Sequence, residues 1–209
     1  MAVERRPVLL LQFAREPVPG QVKTRMIPQL TPIQACDLHR ELVVWTCDQL
    51  LEAQLGDVEI AVAGEPFDPL FSRCLTSGVA RLSRQRGQDL GQRMHNALRK
   101  GLADYANVVL VGSDCPGINA DYLRLALQGL REVDVVLGPA LDGGYVLIAV
   151  KRLDARVFEG IPWGTGEVLR RTENALELTG LSWRTLPPLA DVDVPGDLPV
   201  WEKFNKAAH

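Results

Sequence analysis

The sequence contains no apolar run close to the roughly 18 residues that a membrane-spanning helix needs, so no membrane partner is predicted. The first apolar run, 8–13, is also too short for the core of a signal peptide. A net charge of −3 over 209 residues gives no support to a nucleic-acid partner. These absences favour a globular chain of the cytoplasm that acts on small molecules.

Patterns built from cysteine and histidine are absent too. The four cysteines form no C-x-x-C pair, which argues against a zinc site and against a disulfide framework. Cys36 and Cys47 are about three helical turns apart and are expected on a buried face. The three histidines, His39, His95 and His209, are scattered, and each is expected to be a packed or solvated side chain. No G-x-S-x-G motif of a serine hydrolase occurs.

Two familiar phosphate-binding loops are missing as well. The chain has neither the G-x-x-x-x-G-K-[ST] pattern nor a G-x-G-x-x-G after its first predicted strand. Its glycines instead fall in short clusters between apolar runs. These absences exclude the P-loop and dinucleotide-binding types of nucleotide site.

Strand and helix patterns alternate along the whole chain. Thr31-Pro32 predicts a helix start, because a hydroxyl caps the helix and proline suits its first position. The alternation predicts a mostly parallel sheet, and we expect one three-layer α/β/α domain over residues 1–209. The predicted strands are 8–13, 58–63, 79–82, 108–111, 133–137, 145–150 and 183–186, and the predicted helices are 33–55, 90–102, 120–130, 166–178 and one that begins at Pro195.

The most informative feature is a carboxylate directly after a buried strand. The apolar run 108–111 ends in Gly112, Ser113 and Asp114, at the sheet edge where ligands bind in open α/β folds. A buried acid needs a partner, and a metal ion is the predicted one. Asp191 and Asp193 lie two residues apart, so in an extended segment they point the same way and one of them can meet Asp114. The alternative for Asp193 is a helix cap.

The loop after the first predicted strand carries three cations, Arg15, Lys23 and Arg25. Arginine and lysine at such a position can surround a triphosphate, whereas the alternative is a solvated turn with ordinary surface charges. We expect the strands 8–13 and 108–111 to be neighbours in the sheet. The cationic loop would then lie beside Asp114.

Three further segments carry two interpretations each. Asp142-Gly143-Gly144-Tyr145 is typical of a hairpin turn, and could also present a carboxylate and a phenol to a substrate. In the segment 87–91, one interpretation is that Asp89 is a helix N-cap and Arg93 is solvated. The other is a turn whose backbone amides contact a nucleotide, with Arg93 adding positive charge. Trp163 either covers the core or forms a platform for a substrate.

These segments together resemble the DUF2064 family, which is described as glycosyltransferase-like with a GT-A (nucleotide-diphospho-sugar transferase) fold. The similarity runs in order through nearly the whole chain. One departure is Gly164-Thr165-Gly166, where the family more often has Ser-Thr and a non-glycine residue. The similar motifs are Phe13-Ala14-x-x-Pro17-x-Pro19-Gly20-x-Val22-Lys23-Thr24-Arg25, Gly87-x-Asp89-Leu90-Gly91-x-Arg93-Met94, Gly112-Ser113-Asp114-Cys115-Pro116, Gly138-Pro139-x-x-Asp142-Gly143-Gly144-Tyr145, Ile161-Pro162-Trp163 and Asp191-Val192-Asp193-x-Pro195-x-Asp197-Leu198.

The resemblance implies a set of site residues. The first loop is similar to that of phospholactate guanylyltransferases, and the acids at Asp114 and Asp193 match those that hold Mg²⁺ (or Mn²⁺) there and in CMP-sugar synthetases; Asp191 is the reserve ligand. Lys23, Arg25 and Asp114 would be catalytic, with the two cations stabilising departing pyrophosphate. The nucleotide would contact Ala14, Arg15, Gly20, Lys23, Asp89, Gly91, Arg93 and Ser113, and the acceptor would contact Asp142, Gly143, Gly144, Tyr145 and Trp163.

The resemblance leaves the reaction open, because one fold hosts several chemistries. The favoured reaction is nucleotidyl transfer from a nucleoside triphosphate to a small phosphorylated or hydroxylated acceptor. The alternatives are a glycosyltransferase that uses a nucleotide-diphospho-sugar, and a nucleotide-binding module without catalysis. The base, the acceptor and the oligomeric state also stay open, a homodimer included.

Overall fold

The computed structural model describes residues 5–27 and 29–207, so His209 lies outside the described residues. Seven strands form one central sheet in the order β3-β2-β1-β4-β6-β5-β7. The strands are β1 (Arg6–Arg15), β2 (Asp57–Ala63), β3 (Arg81–Arg84), β4 (Tyr105–Val111), β5 (Val135–Pro139), β6 (Tyr145–Val150) and β7 (Trp183–Thr185). The α-helices are α1 (Pro32–Ala53), α2 (Pro69–Ser77), α3 (Leu90–Asp104), α4 (Ala120–Glu132), α5 (Val168–Thr179) and α6 (Leu198–Ala207).

The sheet is mostly parallel, with β6 as its one described antiparallel strand. Strand β1 pairs in parallel with β2 and with β4, which confirms that the first and fourth strands are neighbours. Strand β6 runs antiparallel to both β4 and β5. The β5–β6 connection is therefore a hairpin, as the Asp142-Gly143 pair predicted. The carboxyl ends of β1 and β4 consequently lie side by side.

Helices cover both faces of the sheet. Leu10 of β1 packs into the core cluster formed with α1, α2 and α4, whereas its neighbours Leu9 and Leu11 pack with α3 and α5. Alternate strand residues point to opposite faces, so β1 is buried from both sides. The expected three-layer α/β/α architecture is thus confirmed.

A third apolar cluster joins the loop after β1 to α1 and to the 191–193 segment and α6. Met26, from the loop after β1, packs with Leu42 of α1, with Val192 of the 191–193 segment, and with Trp201 of α6. The Trp201 ring stands edge-on to Trp45, with 5.6 Å between ring centroids. The cluster fixes the acidic 191–193 segment against the cationic first loop.

The predicted elements differ from the observed ones in a few places. Helix α2 was not predicted, although Asp68 caps it and Pro69 is its first residue. The third strand begins at Arg81, two residues later than predicted, and Val79 is buried in the core before the strand begins. The terminal helix begins with a 3₁₀ turn, Pro195–Asp197, before α6. No described helix has both the length and the apolarity needed to cross a membrane.

Candidate active site

A cavity of about 620 Å³ opens where β1 and β4 end. Its walls come from the loop after β1, the start of α3, the loop after β4, the β5–β6 turn and the 191–193 segment. Side chains of opposite charge face it from several elements. The acidic and basic residues that line it are Arg15, Lys23, Arg25, Asp89, Arg93, Asp114, Asp142, Asp191 and Asp193, and the aromatic ones include Tyr145 and Trp163.

Lys23 links the first loop to the carboxylate after β4. Its Nζ lies 2.7 Å from Asp114 Oδ1, and it also donates to the Val192 carbonyl. The Lys23 side chain is only 3% exposed, whereas that of Asp114 is 48% exposed. The predicted proximity of the cationic loop and Asp114 is therefore confirmed. Asp114 has its countercharge on one side and the cavity on the other.

Asp193 is held by a second cation of the same loop. Arg25 Nη1 lies 2.7 Å from Asp193 Oδ2 in a pair that is partly open to solvent. Asp193 does not cap the following turn, because the Asp197 carboxylate accepts the bonds from the amides of Asp193 and Val194. The Asp193 side chain is therefore directed to the cavity and not to the helix.

The 191–193 segment runs extended beside the end of β4. Val192 is fully buried and its amide donates to the Asp114 carbonyl at 2.8 Å. Asp191 and Asp193 flank it and both line the cavity, as their spacing predicted. Burial, and next the negative charge of Asp142, raise the pKa of Asp191. Asp191 therefore lies in a more negatively charged environment than Asp193, which forms an ion pair with Arg25.

The carboxylates of the cavity suit a divalent cation such as Mg²⁺. No group of three or more His, Cys, Asp or Glu within 5–27 and 29–207 is arranged to hold a metal ion alone. Magnesium, however, usually takes one or two carboxylates and completes its shell with water and substrate phosphates. Asp114 and Asp193 supply two carboxylates, and the hydrogen bond from the Val192 amide to the Asp114 carbonyl joins the two segments that carry them. These residues fit a metal that arrives with a phosphorylated donor.

Cations and fixed polar groups surround the other end of the cavity. Arg15 is exposed at the end of β1, and its carbonyl accepts the Nε2–H of His39 at 3.0 Å. Burial lowers the pKa of His39, which favours the neutral ring. Arg93 Nε donates to the Gly87 carbonyl at 3.2 Å, and Asp89 caps α3 by accepting from the Gln92 amide. The N-cap interpretation of Asp89 is confirmed, and both side chains also line the cavity.

Several cavity residues were not predicted as site residues from the sequence, among them His39 and Gln85. Gln85 Nε2 donates to the carbonyls of Ala14 and Ala61. The only sequence signal for His39 was a polar residue on the apolar face of α1. No pattern distinguishes Gln85, because its partners are backbone groups far away in the sequence.

Not every predicted contact residue lines the cavity. Gly20, Gly91 and Gly143 are not part of the lining, whereas Ala14, Ser113 and Gly144 are. The Ser113 hydroxyl donates to the Phe13 carbonyl and accepts from Gln12, so it fastens β4 to β1. At Gly143, which has φ +89°, an added Cβ would strike the Gly166 carbonyl.

An aromatic wall forms the side of the cavity near the β5–β6 turn. The rings of Tyr145 and Trp163 pack edge to face with 6.3 Å between centroids. Burial raises the pKa of Tyr145, so its phenol is neutral at physiological pH. Gly91 lies directly under the indole, since an added Cβ would be 2.8 Å from Trp163 Nε1. Trp163 therefore both covers α3 and faces the cavity.

The fold is shared with nucleotide-using transferases. A crystal structure from Desulfovibrio desulfuricans G20, provisionally described as a nucleotide-diphospho-sugar transferase, is 34% identical, with a TM-score of 0.84 over 96% of this chain and 88% of that chain. More distant structures share the fold alone. A CMP:2-keto-3-deoxy-manno-octonic acid synthetase complexed with CTP is 13% identical (TM-score 0.59; 97% and 100% covered), and Rv0371c from Mycobacterium tuberculosis H37Rv in complex with manganese is 13% identical (TM-score 0.51; 96% and 98% covered).

The family model described as "Uncharacterized protein conserved in bacteria (DUF2064)" matches residues 46–165. No curated protein matches the sequence significantly. The matched range extends from the middle of α1 to the Trp163 loop and includes Asp114, Asp142 and Tyr145. With more than half of the chain matched, and a 34% identical structure covering 96% of it, this protein belongs to the DUF2064 family.

Proposed function

We propose that this protein is a divalent-metal-dependent transferase that uses a nucleotide donor, and that it transfers a nucleotidyl group to a small acceptor with release of pyrophosphate. One observation carries the proposal. A single cavity brings the cations of the first loop together with the carboxylates Asp114 and Asp193. Support also comes from the shared fold, which includes a synthetase complexed with CTP and a protein complexed with manganese.

The donor phosphates would lie between the first loop and the start of α3. Arg15 and Arg93 line this part of the cavity, and neither makes an ion pair within the described residues. Guanidinium groups bind phosphate oxygens through paired hydrogen bonds. Arg25 can leave the partly exposed Asp193 carboxylate to contact a phosphate, because exposed ion pairs are weak.

Lys23 has a narrower role in this proposal than the sequence alone suggested. Its ammonium group donates to the Val192 carbonyl and forms an ion pair with Asp114 Oδ1, which accepts no hydrogen bond within the described residues. The Lys23 side chain is also buried, which limits its direct contact with a donor phosphate. Lys23 therefore acts first as the residue that positions Asp114, and second as a charge near the departing pyrophosphate.

Asp114 and Asp193 would hold Mg²⁺ or Mn²⁺, with Asp191 as the reserve ligand. A bound divalent cation neutralises charge on the donor phosphates and so stabilises the transition state. In this proposal, the protein's own contribution is to hold the two chain segments that carry these carboxylates side by side. The Val192–Asp114 backbone bond and the Lys23 and Arg25 pairs do this.

The acceptor would enter beside the β5–β6 turn. Asp142 and Tyr145 line this side, and Gly144 leaves the backbone open to a close approach. Trp163 covers the same side from the opposite loop. The acceptor thus meets the donor where the two walls converge on Asp114.

The test is a panel of nucleoside triphosphates and nucleotide-diphospho-sugars, each incubated with Mg²⁺ and a mixture of small acceptors. Pyrophosphate and nucleoside diphosphate are measured in the same samples. The proposal predicts pyrophosphate release that needs Mg²⁺ and the acceptor, and that the Asp114→Asn variant lacks. Donor binding without any turnover across the panel would instead identify a nucleotide-binding module.

A glycosyltransferase is the second candidate. It is favoured by one observation, the 34% identical structure provisionally described as a nucleotide-diphospho-sugar transferase. A nucleotide-diphospho-sugar also presents a diphosphate to the same cations and carboxylates. Release of nucleoside diphosphate without pyrophosphate in the panel would establish this candidate over the first.

A further inference from the structure

The carboxylates of the cavity fall into two classes. Asp114 and Asp193 have cation partners at 2.7 Å, Lys23 and Arg25 respectively. Asp142 and Asp191 have no cation partner among residues 5–27 and 29–207. Both line the cavity. Asp89, which caps α3 on the opposite side, also lines the cavity without a cation partner among these residues. Two of the three uncompensated carboxylates of the cavity therefore lie on the side formed by the β5–β6 turn and the 191–193 segment.

Backbone hydrogen bonds join the two chain segments that carry these carboxylates, and the charge of Asp142 is among the causes that raise the pKa of Asp191. The Leu141 amide donates to the Leu189 carbonyl at 3.1 Å, and the Leu189 amide donates to the Pro139 carbonyl at 3.0 Å. The turn and the segment before Asp191 thus run side by side. Asp142 directly follows Leu141, and Asp191 lies two residues after Leu189.

The aromatic wall is held to the same turn. The Leu169 amide donates to the Gly143 carbonyl at 2.9 Å, which joins the start of α5 to the turn. Trp163 lies in the loop just before α5 and packs against Tyr145, the first residue after the turn. One side of the cavity therefore presents two unpaired carboxylates and an aromatic surface together.

We infer that the acceptor is a hydroxylated molecule without phosphate or carboxylate groups, neutral or carrying an ammonium group, and that it binds between Asp142, Asp191 and the Trp163 ring. Hydroxyl and ammonium groups donate strong hydrogen bonds to carboxylates, whereas an anionic group meets like charge. The aromatic surface suits the apolar face of a sugar-like ring. The inference rests on the proposed function and narrows its acceptor.

The experiment uses matched pairs of acceptors that differ only by a phosphate group. The pairs are a hexose and its 6-phosphate, a hexosamine and its 6-phosphate, and glycerol and glycerol phosphate. Donor consumption with Mg²⁺ is measured for the wild type and for Asp142→Asn. The asparagine Oδ1 can still accept the bond that Asp142 Oδ1 takes from the Gly144 amide, so the turn is retained while the charge is lost. The control is Asp121→Asn, a surface acid on α4 outside the cavity.

The inference predicts that unphosphorylated members are turned over at least about tenfold faster than their phosphates. Asp142→Asn should reduce this preference by about threefold or more, whereas Asp121→Asn should leave it unchanged. Faster turnover of the phosphorylated members, or an unchanged preference in Asp142→Asn, would overturn the inference. Donor binding is measured separately by calorimetry. If no donor binds, the proposed function itself fails, and if a donor binds but phosphates are preferred, only the acceptor inference fails.

Discussion

Lys23 is the residue on which the position of Asp114 depends. It is buried and pairs with Asp114 and the Val192 carbonyl. Lys23→Met keeps most of the length of the side chain but removes the countercharge of Asp114 and the donor to the Val192 carbonyl. We expect it to lower the free energy of unfolding by about 2 kcal/mol in metal-free buffer, less than a fully buried pair because Asp114 is half exposed.

Arg25→Met is the matched control, because it removes the more exposed cation of the same loop. Arg25→Met should lower the free energy of unfolding by less than about 1 kcal/mol. Urea unfolding of both variants measures the difference. Equal losses in the two variants would show that Lys23 has no special structural role.

Gly91 is predicted to be irreplaceable by alanine because Trp163 and the Phe158 carbonyl occupy the space of a Cβ. Gly91→Ala should lower the free energy of unfolding by about 1–3 kcal/mol because of overpacking. This loss is larger than the stabilisation that alanine brings through its higher helix propensity. Gly196→Ala, where no atom lies within 4 Å of the added Cβ, should change stability by less than about 0.5 kcal/mol. The comparison is made by urea unfolding, and a stable Gly91→Ala variant would contradict the packing described for Trp163.

His39 gives a prediction for pH. Burial is the main cause that lowers its pKa from 6.5. Between the lowered value and about 6.5 the unfolded chain binds a proton that the folded protein does not. Stability from this group is therefore present above about pH 6.5 and is lost as the pH falls through the folded pKa. In unfolding curves measured from about pH 7.5 down to 5, His39→Gln should lose less stability than the wild type. Parallel pH profiles for the two proteins would refute the prediction.

The sequence predicted which acids face the site, but not how they are paired. Asp114 follows an apolar run, and Asp191 and Asp193 share a side of an extended segment, so local patterns were sufficient. The partners of Asp114 and Asp193 come from the loop after β1, far away in the sequence. The predicted neighbouring strands 8–13 and 108–111 put this loop beside Asp114, but no local pattern assigns Lys23 to Asp114 and Arg25 to Asp193.

At the scale of elements, the β5–β6 turn and the start of α5 behave as one unit. Gly143 has φ +89° and no room for a Cβ beside Gly166, whereas Gly160 has φ +67° and no atom within 4 Å. Because φ is positive at both positions, alanine at either one should lower the free energy of unfolding by about 1–2 kcal/mol. Gly143→Ala should cost clearly more than Gly160→Ala, because it also separates the turn from α5.

Hydrogen exchange of the Leu169 amide, which donates to the Gly143 carbonyl, measures this coupling directly. Exchange should accelerate in Gly143→Ala and stay near the wild-type rate in Gly160→Ala. If the Leu169 amide stays equally protected in both variants, the turn and α5 are not coupled.

Element prediction succeeded where a helix or strand had enough turns or alternations to be recognised. Helix α1 was predicted from the Thr31 cap and a long apolar spacing, and the cap is present. Helix α2 has only nine residues, and its apolar positions Leu70, Phe71 and Cys74 are too few to define a period. Strand β3 has four residues at the edge of the sheet, and its start could not be fixed because Val79 is buried outside it.

At the scale of the whole molecule, the alternation of elements predicted the three-layer architecture, but periodicity alone did not give the strand order. The order brings β1 and β4 together and inserts β6 antiparallel between β4 and β5. That arrangement creates the cavity, because the first loop, the Asp114 loop and the β5–β6 turn then meet at one sheet edge. The reaction stays a proposal, since a shared fold does not determine chemistry.

The measurement that tests the central claim most directly is calorimetric titration of the donor chosen by the panel, with and without Mg²⁺, into the wild type and Asp114→Asn. The account predicts that Mg²⁺ tightens donor binding about tenfold or more in the wild type. Asp114→Asn should bind the bare nucleotide nearly as well as the wild type and lose the Mg²⁺ effect. Equal affinity with and without Mg²⁺ in the wild type, or a Mg²⁺ effect that survives in Asp114→Asn, would contradict the account.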